Sequence, residues 1–299
     1  MTPSNSQSDE LELPGIFVAA DAASVRGQRN YLRLSAMRFI SLFAAALTGA
    51  LGFLGGTCDV VGALLLLAFV VAAFAEFGLI RFQPERAWYS GRAVAESVKT
   101  LSWRFAVKGE PFGGSLDLAE AERLLLERIR EVVKKGSDRI DLVVGPAVVT
   151  ESMRTLRLTR LEVRRAAYLL QRTQAQRSWY STNAAKNQKR ASMFRYALLA
   201  GELIAVVAAA VALGRDVPLD FAGVLAALVA AGAAWMALKQ YSQLTSAYRV
   251  AAVELGIQES IIESVEVDKW DQAVADAEEA ISREHTMWLA SRGEEPIGK

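Results

Sequence analysis

Four long apolar stretches interrupt an otherwise polar and charged chain. They occupy residues 39–57, 60–80, 196–214 and 221–238. A helix needs about 20 apolar residues to cross the hydrocarbon core of a bilayer, where backbone groups find no water to pair with. The pattern therefore predicts four membrane-spanning helices. Because only a few residues connect the two stretches of each pair, we expect two tight antiparallel hairpins.

The polar segments carry helical periodicity. In residues 117–135 one face collects five apolar side chains: Leu118, Ala121, Leu125, Ile129 and Val132. Further helices are predicted from Ala22, with Asp21 as the N-cap, from about residue 150 into the third stretch, and from 240 to about 289. We interpret residues 138–146 as a loop.

The last of these helices contains an apolar heptad. Four residues recur at seven-residue spacing: Val267, Val274, Ile281 and Trp288. Such a repeat predicts a seam that packs against another helix.

The predicted fold is thus an all-α integral membrane protein with four transmembrane helices in two hairpins and long cytoplasmic helices. We divide it into a flexible segment (1–20), a first two-transmembrane unit (21–112), a cytoplasmic connector (113–149), a second two-transmembrane unit (150–290) and a tail (291–299). The predicted hairpin tips carry a single cation, Arg215, whereas the remaining segments are rich in Lys and Arg. The positive-inside rule therefore predicts cytoplasmic N- and C-termini. Since residues 1–12 are polar, we expect the first span to direct insertion without a cleavable signal peptide.

The approach to each hairpin repeats one pattern. At a constant offset, four residues of the first approach recur in the second: Asn30, Arg33, Ser35 and Arg38 as Asn187, Arg190, Ser192 and Arg195. Basic flanks are common to all inserted hairpins, which explains the arginines but not the Asn and Ser. The pattern indicates an internal duplication whose copies are parallel repeats about an axis along the membrane normal.

Two carboxylates fall within the apolar stretches. Glu76 lies near the predicted cytoplasmic end of the second. There it either lines a pore or faces another carboxylate in an assembly, or else it snorkels to the headgroups or pairs with Arg81. Glu202 lies about 10 Å beyond Arg195, too deep for easy access to the headgroups. An intramembrane charge usually faces water or a partner, so we predict that Glu202 lines a pore or meets a buried partner.

Opposite charges mark the long polar helices. The middle segment carries arginines on one side, including Arg154, Arg157 and Arg164, whereas the last helix is acidic, with Glu263, Asp271 and Glu278. The simplest interpretation is that the two helices pair in one cytoplasmic layer. The alternative is that the basic stripe binds anionic headgroups or a nucleotide phosphate.

Composition argues against an enzyme. The chain is 52% hydrophobic with a net charge of +1, and its single Cys and single His provide neither a disulfide framework nor a His/Cys metal site. It contains no glycine-rich phosphate loop and no nucleophile elbow. We expect no catalytic residues, no cofactor, no metal and no nucleic-acid partner.

Aromatic motifs flank the apolar pairs: two follow the first pair and one precedes the second. They comprise Trp88-Tyr89, Trp103-Arg104 with Glu110-Pro111 shortly after, and Trp179-Tyr180. These segments resemble those of bacterial SLATT proteins, two-transmembrane effectors associated with SMODS and SLOG domains, as two fused units. The resemblance implies an inner-membrane effector of nucleotide-regulated conflict systems. It also implies a nucleotide-synthesising or nucleotide-sensing partner protein that triggers pore formation or membrane disruption during phage infection.

The sequence therefore leads to a non-enzymatic effector that homo-oligomerises in the bilayer into a gated pore. A membrane scaffold or partner-binding subunit without conductance is the alternative. A small-solute transporter is disfavoured, because four short, unbroken spans leave little room for an alternating-access site.

Overall fold

The structure, a computed structural model, describes residues 10–52, 58–136, 147–213 and 220–290, with side chains over 10–51, 60–136, 147–213 and 220–282. The predicted loop 138–146, the tail 291–299, the Trp288 side chain and most of the second predicted hairpin tip lie outside these residues. Residues 58 and 59, between the first two predicted spans, begin a helix. All secondary structure in the described ranges is helical. The helices are α1 (Gly15–Gly52), α2 (Cys58–Phe82), α3 (Pro84–Val107), α4 (Leu118–Gly136), α5 (Glu151–Leu158), α6 (Leu161–Tyr168), a π-helical segment (Leu169–Gln174), α7 (Ala175–Ala212), α8 (Phe221–Lys239), α9 (Tyr241–Ser264), a 3₁₀ turn (Val267–Lys269) and α10 (Trp270–Ala290).

Four helical stretches are long and apolar enough to cross a membrane, which confirms the prediction of four spans. They are Gly15–Leu51, Val60–Val107, Leu161–Ala212 and Phe221–Ser264. Few side chains in their most apolar windows are buried within the chain. Phe74, for example, is 71% exposed. Such surfaces suit contact with lipid or with another membrane helix.

The chain folds as two units. Unit 1 comprises Met1–Gly27, Glu85–Asn183 and Ala247–Lys299, as far as these ranges are described. Unit 2 comprises Gln28–Pro84 and Ala184–Ser246. Unit 2 therefore contains the most apolar parts of α1, α2, α7 and α8, and unit 1 contains most of the amphipathic helices.

The larger apolar core of unit 1 forms where α1, α3, α4 and α5 pack together. Its buried side chains include Ala20, Val98, Phe105, Leu125 and Met153. The predicted apolar face of α4 is confirmed, since Ala121, Leu125, Ile129 and Val132 are all buried. A capping box begins this helix: the Glu120 N–H donates to the Asp117 carboxylate (2.8 Å) and the Asp117 N–H to the Glu120 carboxylate (3.2 Å).

A second core in unit 1 is built around aromatic rings. Trp103 of α3, Tyr168 of α6 and Trp270 of α10 stack edge-to-face, with ring centroids 5.9 Å and 6.3 Å apart along the series. The Trp270 indole N–H donates to the Val107 carbonyl at 2.7 Å, which fixes α10 on the end of α3. Val274 and Ile281 of the predicted heptad are buried, whereas Val267 is 77% exposed because it lies in the 3₁₀ turn.

The predicted start of the first helix was wrong. The first helix begins at Gly15, directly after Pro14, so Asp21 lies within it and is not an N-cap. The Pro14 carbonyl accepts from the Val18 N–H at 3.4 Å, so Pro14 is the N-cap residue. Residues 11 and 12, predicted to be flexible, make defined contacts: the Leu11 N–H donates to Gln171 and the Glu12 N–H to Ser152.

The two long polar helices are each broken. The middle one stops at Thr159, whose hydroxyl turns back to the Leu156 carbonyl and whose backbone is extended. Short polar side chains compete with the helix in this way. The last predicted helix stops after Ser264, and the chain continues through the 3₁₀ turn into α10. At the C-terminal end of α9, Arg165 donates to the backbone carbonyls of Glu263 and Val265.

In unit 2 the apolar helices approach closely at glycines. A Cβ at Gly201 of α7 would lie 2.9 Å from the Val229 side chain of α8, and one at Gly232 of α8 would lie 2.9 Å from the Leu198 side chain of α7. Gly78 of α2 similarly faces Leu34 of α1. Small residues at contacts of this kind allow membrane helices to pack backbone to backbone.

A contact in unit 1 between a glycine and the backbone of another helix gives a test of this packing. A Cβ at Gly91 of α3 would lie 2.7 Å from the backbone nitrogen of Ser24 and 2.9 Å from the Ala20 carbonyl oxygen of α1. We expect Gly91→Ala to lower the free energy of unfolding by about 1–3 kcal/mol, because backbone cannot move aside as a side chain can. Denaturant unfolding of the detergent-purified protein measures it.

The matched control is Gly49→Ala in α1, where a Cβ would meet nothing within 4 Å. A Gly91→Ala variant as stable as Gly49→Ala would show that the α1–α3 contact is looser than described.

Candidate functional site

The two carboxylates in the apolar stretches have different surroundings. Glu76 of α2 forms an ion pair with Arg38 of α1, Oε2 to Nη1 at 2.6 Å, and both side chains are about half exposed. The sequence suggested Arg81 as its partner. Arg38 takes that place because α1 and α2 lie side by side, as the nearby contact between Leu34 and Gly78 also indicates. Glu76 is therefore charge-compensated within one chain.

The second copy of the repeat has no equivalent pair. Arg195, the counterpart of Arg38, donates to the Ser242 hydroxyl at 2.7 Å. Among the residues with described side chains, Glu202 of α7 has neither a hydrogen bond nor an ion pair, and its side chain is exposed. Its neighbours Leu203 and Val206 are 59% and 65% exposed. A carboxylate thus lies on the exposed surface of an apolar helix, and no described side chain provides a counter-charge for it.

Unit 1 contains a buried polar centre around Glu278 of α10. This carboxylate is fully buried and accepts four hydrogen bonds. Its Oε1 accepts from the Tyr168 hydroxyl (3.0 Å) and from Arg172 Nε (2.8 Å), and its Oε2 accepts from Arg172 Nη2 (2.6 Å) and from the Thr100 hydroxyl (2.8 Å). One side chain therefore connects α3, α6, the π-helical segment and α10.

The π-helical segment supplies the cation of this centre. In residues Leu169–Gln174 the backbone hydrogen bonds span five residues instead of four, which makes the helix wider there. Arg172 and Thr173 of this segment are both buried. Such widened turns often occur at functional sites because they redirect one side chain. Arg172 binds Glu278 with its Nε and Nη2 atoms side by side, the bidentate geometry that arginine and carboxylate prefer.

Burial and the charges of this centre shift the pKa values of neighbouring side chains. Burial raises the pKa of Tyr168 well above its ordinary value, and the Glu278 charge raises it further, so the phenol stays a hydrogen-bond donor. Burial also lowers the pKa of Lys99, as does the nearby Arg172 cation, against the opposing effect of Glu96 and Glu278. Arg172 Nη1 is buried without an acceptor among the described atoms.

Arg157 of α5 is buried with a different role. Its Nη1 donates to the carbonyls of Phe105 (3.0 Å) and Phe112 (2.8 Å), and its Nη2 donates more weakly to Gly113 (3.5 Å) and Leu116 (3.4 Å). The guanidinium also lies over the Phe105 ring, 5.1 Å from its centroid. Arg157 thus holds the segment between α3 and α4 in place. That segment includes the cis peptide bond Glu110–Pro111.

The structure gives the predicted arginines other partners than the acidic helix. Arg154 pairs with Glu122 at 2.6 Å and with Glu151 at 3.5 Å, and Arg164 donates to the carbonyls of Arg157 and Thr159. Of the acidic residues, Glu278 binds Arg172, the Glu263 carbonyl accepts from Arg165, and the Asp271 carboxylate accepts from the N–H of Gln272. Ion pairs with the acidic segment do exist in unit 1, but they join Arg172 to Glu278 and Arg177 to Glu259. Nothing in the sequence distinguished Arg172, Tyr168 or Thr100 from surface residues.

The aromatic motif residues have structural contacts. Trp103 lies in the stacked core, Arg104 donates to the Ala275 carbonyl at 3.0 Å, and the Glu110 N–H donates to the Asp271 carbonyl at 3.0 Å. Pro111 directly precedes the buried Phe112. The motif after the first apolar pair therefore joins α3 to α10.

The other two motifs form aromatic pairs. Trp88 and Tyr89 contact each other at 5.0 Å between centroids. Trp179 and Tyr180 both pack on Tyr248 of α9, at 5.2 Å and 5.5 Å. Nearby, Arg177 pairs with Glu259 at 3.2 Å, and burial raises the pKa of that carboxyl despite the cation. Over the described ranges, no group of three or more His, Cys, Asp or Glu residues is placed to hold a metal ion.

Two family descriptions match the chain, one after the other. SMODS and SLOG-associating 2TM effector domain 3 (SLATT_3) matches residues 14–165, and SMODS and SLOG-associating 2TM effector domain 1 (SLATT_1) matches residues 168–288. The two matches meet in the second half of α6, just before the π-helical segment. Comparisons with curated proteins and with solved structures gave no match. These matches confirm the resemblance found in the sequence and indicate a membrane effector of conflict systems.

The buried centre yields a stability prediction. Replacing Arg172 by Leu would leave Glu278 uncompensated in the core, so we expect a loss of about 3–5 kcal/mol in the free energy of unfolding. The double variant Arg172→Leu/Glu278→Leu should recover part of that loss because the unpaired charge is gone. Denaturant unfolding of the detergent-purified protein measures both.

Arg154→Leu is the matched control, since the same substitution there breaks a partly exposed pair and should cost far less stability than Arg172→Leu. Equal losses for the two single variants would contradict a structural role for the Arg172–Glu278 pair.

Proposed function

The chain belongs to the SLATT family of two-transmembrane effector domains, which it carries in tandem, and we propose that it acts as a pore-forming effector. Several copies assemble in the bacterial inner membrane, with both termini in the cytoplasm, and open a water-filled path in an anti-phage response. The observation that carries this proposal is Glu202, an exposed carboxylate on α7 with no partner among the described side chains.

The physics of the bilayer supports the assembly. An ionised carboxylate facing hydrocarbon costs several kcal/mol, and such residues almost always face a cavity or a partner. Glu76 meets this requirement within its own chain through Arg38. Glu202 meets it when α7 faces a water-filled space. A ring of Glu202 side chains, one from each copy, would also attract cations to that space.

One chain is too small to enclose the path. Packed helices lie about 8–10 Å apart, so side chains fill the centre of a four-helix bundle. The exposed apolar surfaces of α2, α7 and α8 provide faces on which further copies can pack. We propose that each chain contributes two hairpins, α1 with α2 and α7 with α8, consistent with the contacts between Arg38 and Glu76 and between Gly201 and Val229.

A trigger from the cytoplasm fits the connectivity of the chain. Helices α1 and α7 each begin in unit 1 and end in unit 2. We propose that a nucleotide signal, received directly or through a partner protein, acts on unit 1 and is passed along these helices to the spans.

Leakage of ions from liposomes tests the pore. The purified protein is reconstituted with a cation-sensitive dye inside, with and without a panel of cyclic di- and oligonucleotides, and in parallel its overexpression is followed by a membrane-potential dye in cells. We expect leakage or depolarisation in at least one setting. Glu202→Ala should reduce the cation flux by about tenfold, equivalent to about 1.4 kcal/mol.

Leu203→Ala, a neighbouring exposed position of α7, is the control and should leave the flux unchanged. If no nucleotide and no expression level produces leakage, the alternative function, a membrane scaffold or partner-binding subunit without conductance, becomes the better account. Flux that is indifferent to Glu202→Ala would place the path elsewhere in the assembly.

A further inference from the structure

The breaks between helices support the internal repeat. Gln83 separates α2 from α3 and Gln240 separates α8 from α9, and the two are related by the same offset as Arg38 and Arg195. Both have a positive φ, 41° and 49°, and both donate their N–H to the carbonyl four residues earlier. Each preceding helix therefore ends in the same left-handed cap. We describe α1–α4 as the first repeat and α6–α10 as the second.

The helices α3 and α9 bury one equivalent face against their own repeats. Three pairs of residues related by that offset are buried in both helices. They are Val94 and Ala251, Val98 and Leu255, and Phe105 and Ile262. In the first repeat this face packs on α1 and α4, and in the second it packs on α7 and α10. The repeat is thus present in the packing as well as in the sequence.

The opposite face of these helices is covered in the first repeat only. In α3 it includes Thr100, whose hydroxyl donates to a carboxylate of α10, and Trp103, whose ring contacts Tyr168 of α6. The offset relates Thr100 and Trp103 to Ile257 and Ser260 of α9. Ile257 is 52% exposed, and Ser260 is also exposed. The second repeat therefore lacks, among the described residues, the layer that covers the first.

Two valines extend this exposed face toward the start of α9. Val250 and Val253 are 64% and 67% exposed. Together with Ile257 and Ser260 they lie at spacings of three and four residues, which places all four on one side of the helix. We call these four residues the α9 face. It carries no charge, and its branched and small side chains are those that pack well between helices.

The helix that covers α3 belongs to the second repeat and runs antiparallel to it. The Tyr168 ring contacts Trp103, and Arg172 Nη2 donates to the Thr100 hydroxyl at 3.3 Å. Residue numbers therefore rise along the covering helix as they fall along α3. This contact shows how the two repeats associate within one chain.

The counterpart of the covering helix in the first repeat is α1. The offset relates Arg172 to Gly15, the first residue of α1, and helical spacing continues that side through Val18, Ala22 and Val25. Val18 and Val25 are 59% and 53% exposed, and Ala22 is partly exposed. We call these last three residues the α1 face. It is apolar, and no helix of the described chain covers it.

We propose that the α9 face of one chain packs on the α1 face of a second copy, head to tail, as α3 packs on the covering helix within one chain. The second copy is the occupant that the repeat specifies, because every copy presents one face of each kind. Antiparallel packing in the same register places Val253 against Val18 and Val250 against Ala22.

A head-to-tail contact of this kind has a consequence for the assembly. It repeats from copy to copy and closes into a ring when its rotation divides a full turn. An axis along the membrane normal, the axis expected for parallel repeats, keeps every copy in one bilayer. The inference rests on the assembly that the proposed function requires, and it identifies the contact that joins the copies.

Disulfide crosslinking of the full chain in membranes tests the contact. The chain carries Val18→Cys and Val253→Cys, and its native cysteine is replaced by Cys58→Ser. A disulfide forms without backbone movement only when the two Cα atoms lie within about 7 Å. We expect oxidation to give a ladder of dimers, trimers and larger species on a non-reducing gel, because each chain then bonds to two neighbours.

Val25→Cys combined with Val253→Cys is the matched control. Val25 lies on the same face as Val18 and is similarly exposed, but its position is about 10 Å further along α1. The crosslinked fraction should be at least about tenfold lower for this pair than for the Val18 pair, because the thiols lie too far apart. Mixing chains that carry only Val18→Cys with chains that carry only Val253→Cys should give mixed dimers and nothing larger.

Three results overturn the proposal. The first is a Val18 pair that crosslinks no better than the Val25 control, as expected if a partner protein or lipid covers the α9 face. The second is a disulfide within one chain, which would mean that α9 packs on its own α1. The third is dimer formation by Val253→Cys alone, which would mean that two α9 faces pack on each other.

Cation leakage is recorded from the same membranes, so that this contact and the proposed function can fail separately. A crosslinked ladder without leakage supports the contact and counts against the pore. Leakage without a ladder supports the pore and overturns the contact. Membranes that show neither contradict both.

Discussion

Placing a charge away from water without a counter-charge is costly in free energy, and this cost determines how the carboxylates of both units are paired. In unit 1 the chain meets that cost at Glu278, which is fully buried and is matched by Arg172 and by the hydroxyls of Tyr168 and Thr100. Removing one partner of such a pair is far more costly than replacing both by apolar groups. The packing of α3, α6 and α10 therefore depends on a single carboxylate, and the π-helical turn at 169–174 is the local distortion that brings its cation into the core.

The two halves of unit 2 differ in whether their intramembrane carboxylate has a counter-charge. In the first copy of the repeat, Arg38 and Glu76 form a pair. In the second copy the counterpart of Arg38 bonds to a serine hydroxyl, and a carboxylate appears instead at Glu202, on the exposed side of α7. Among the described side chains, the first half thus contains a compensated carboxylate and the second half an uncompensated one. We infer that the first half contributes stability and the second contributes the polar surface that several copies share.

Much of this architecture was accessible from the sequence because it rests on long, regular patterns. The apolar stretches, the amphipathic face of α4 and the tryptophan motifs each extend over many residues. The partners of individual charges were not accessible: Arg172 and Arg154 look alike in the sequence, yet one is buried on Glu278 and the other lies near the surface on Glu122. The helix breaks at Thr159 and after Ser264 were missed for a related reason. The Thr159 hydroxyl and Arg164 stabilise the first break, and Arg165 of another helix stabilises the second. Helical periodicity does not record such contacts.

The central claim is that Glu202 faces water when the protein is assembled in a membrane. Its most direct test is the reaction of a membrane-impermeant thiol reagent with Glu202→Cys, in a chain whose only native cysteine is replaced by Cys58→Ser, in inverted membrane vesicles. A thiol reacts as its thiolate, which hydrocarbon does not support. The account predicts that Glu202→Cys is labelled nearly as fast as Arg195→Cys at the end of the span, and much faster than Leu203→Cys. A Glu202→Cys chain that stays unlabelled while Arg195→Cys reacts would contradict the account.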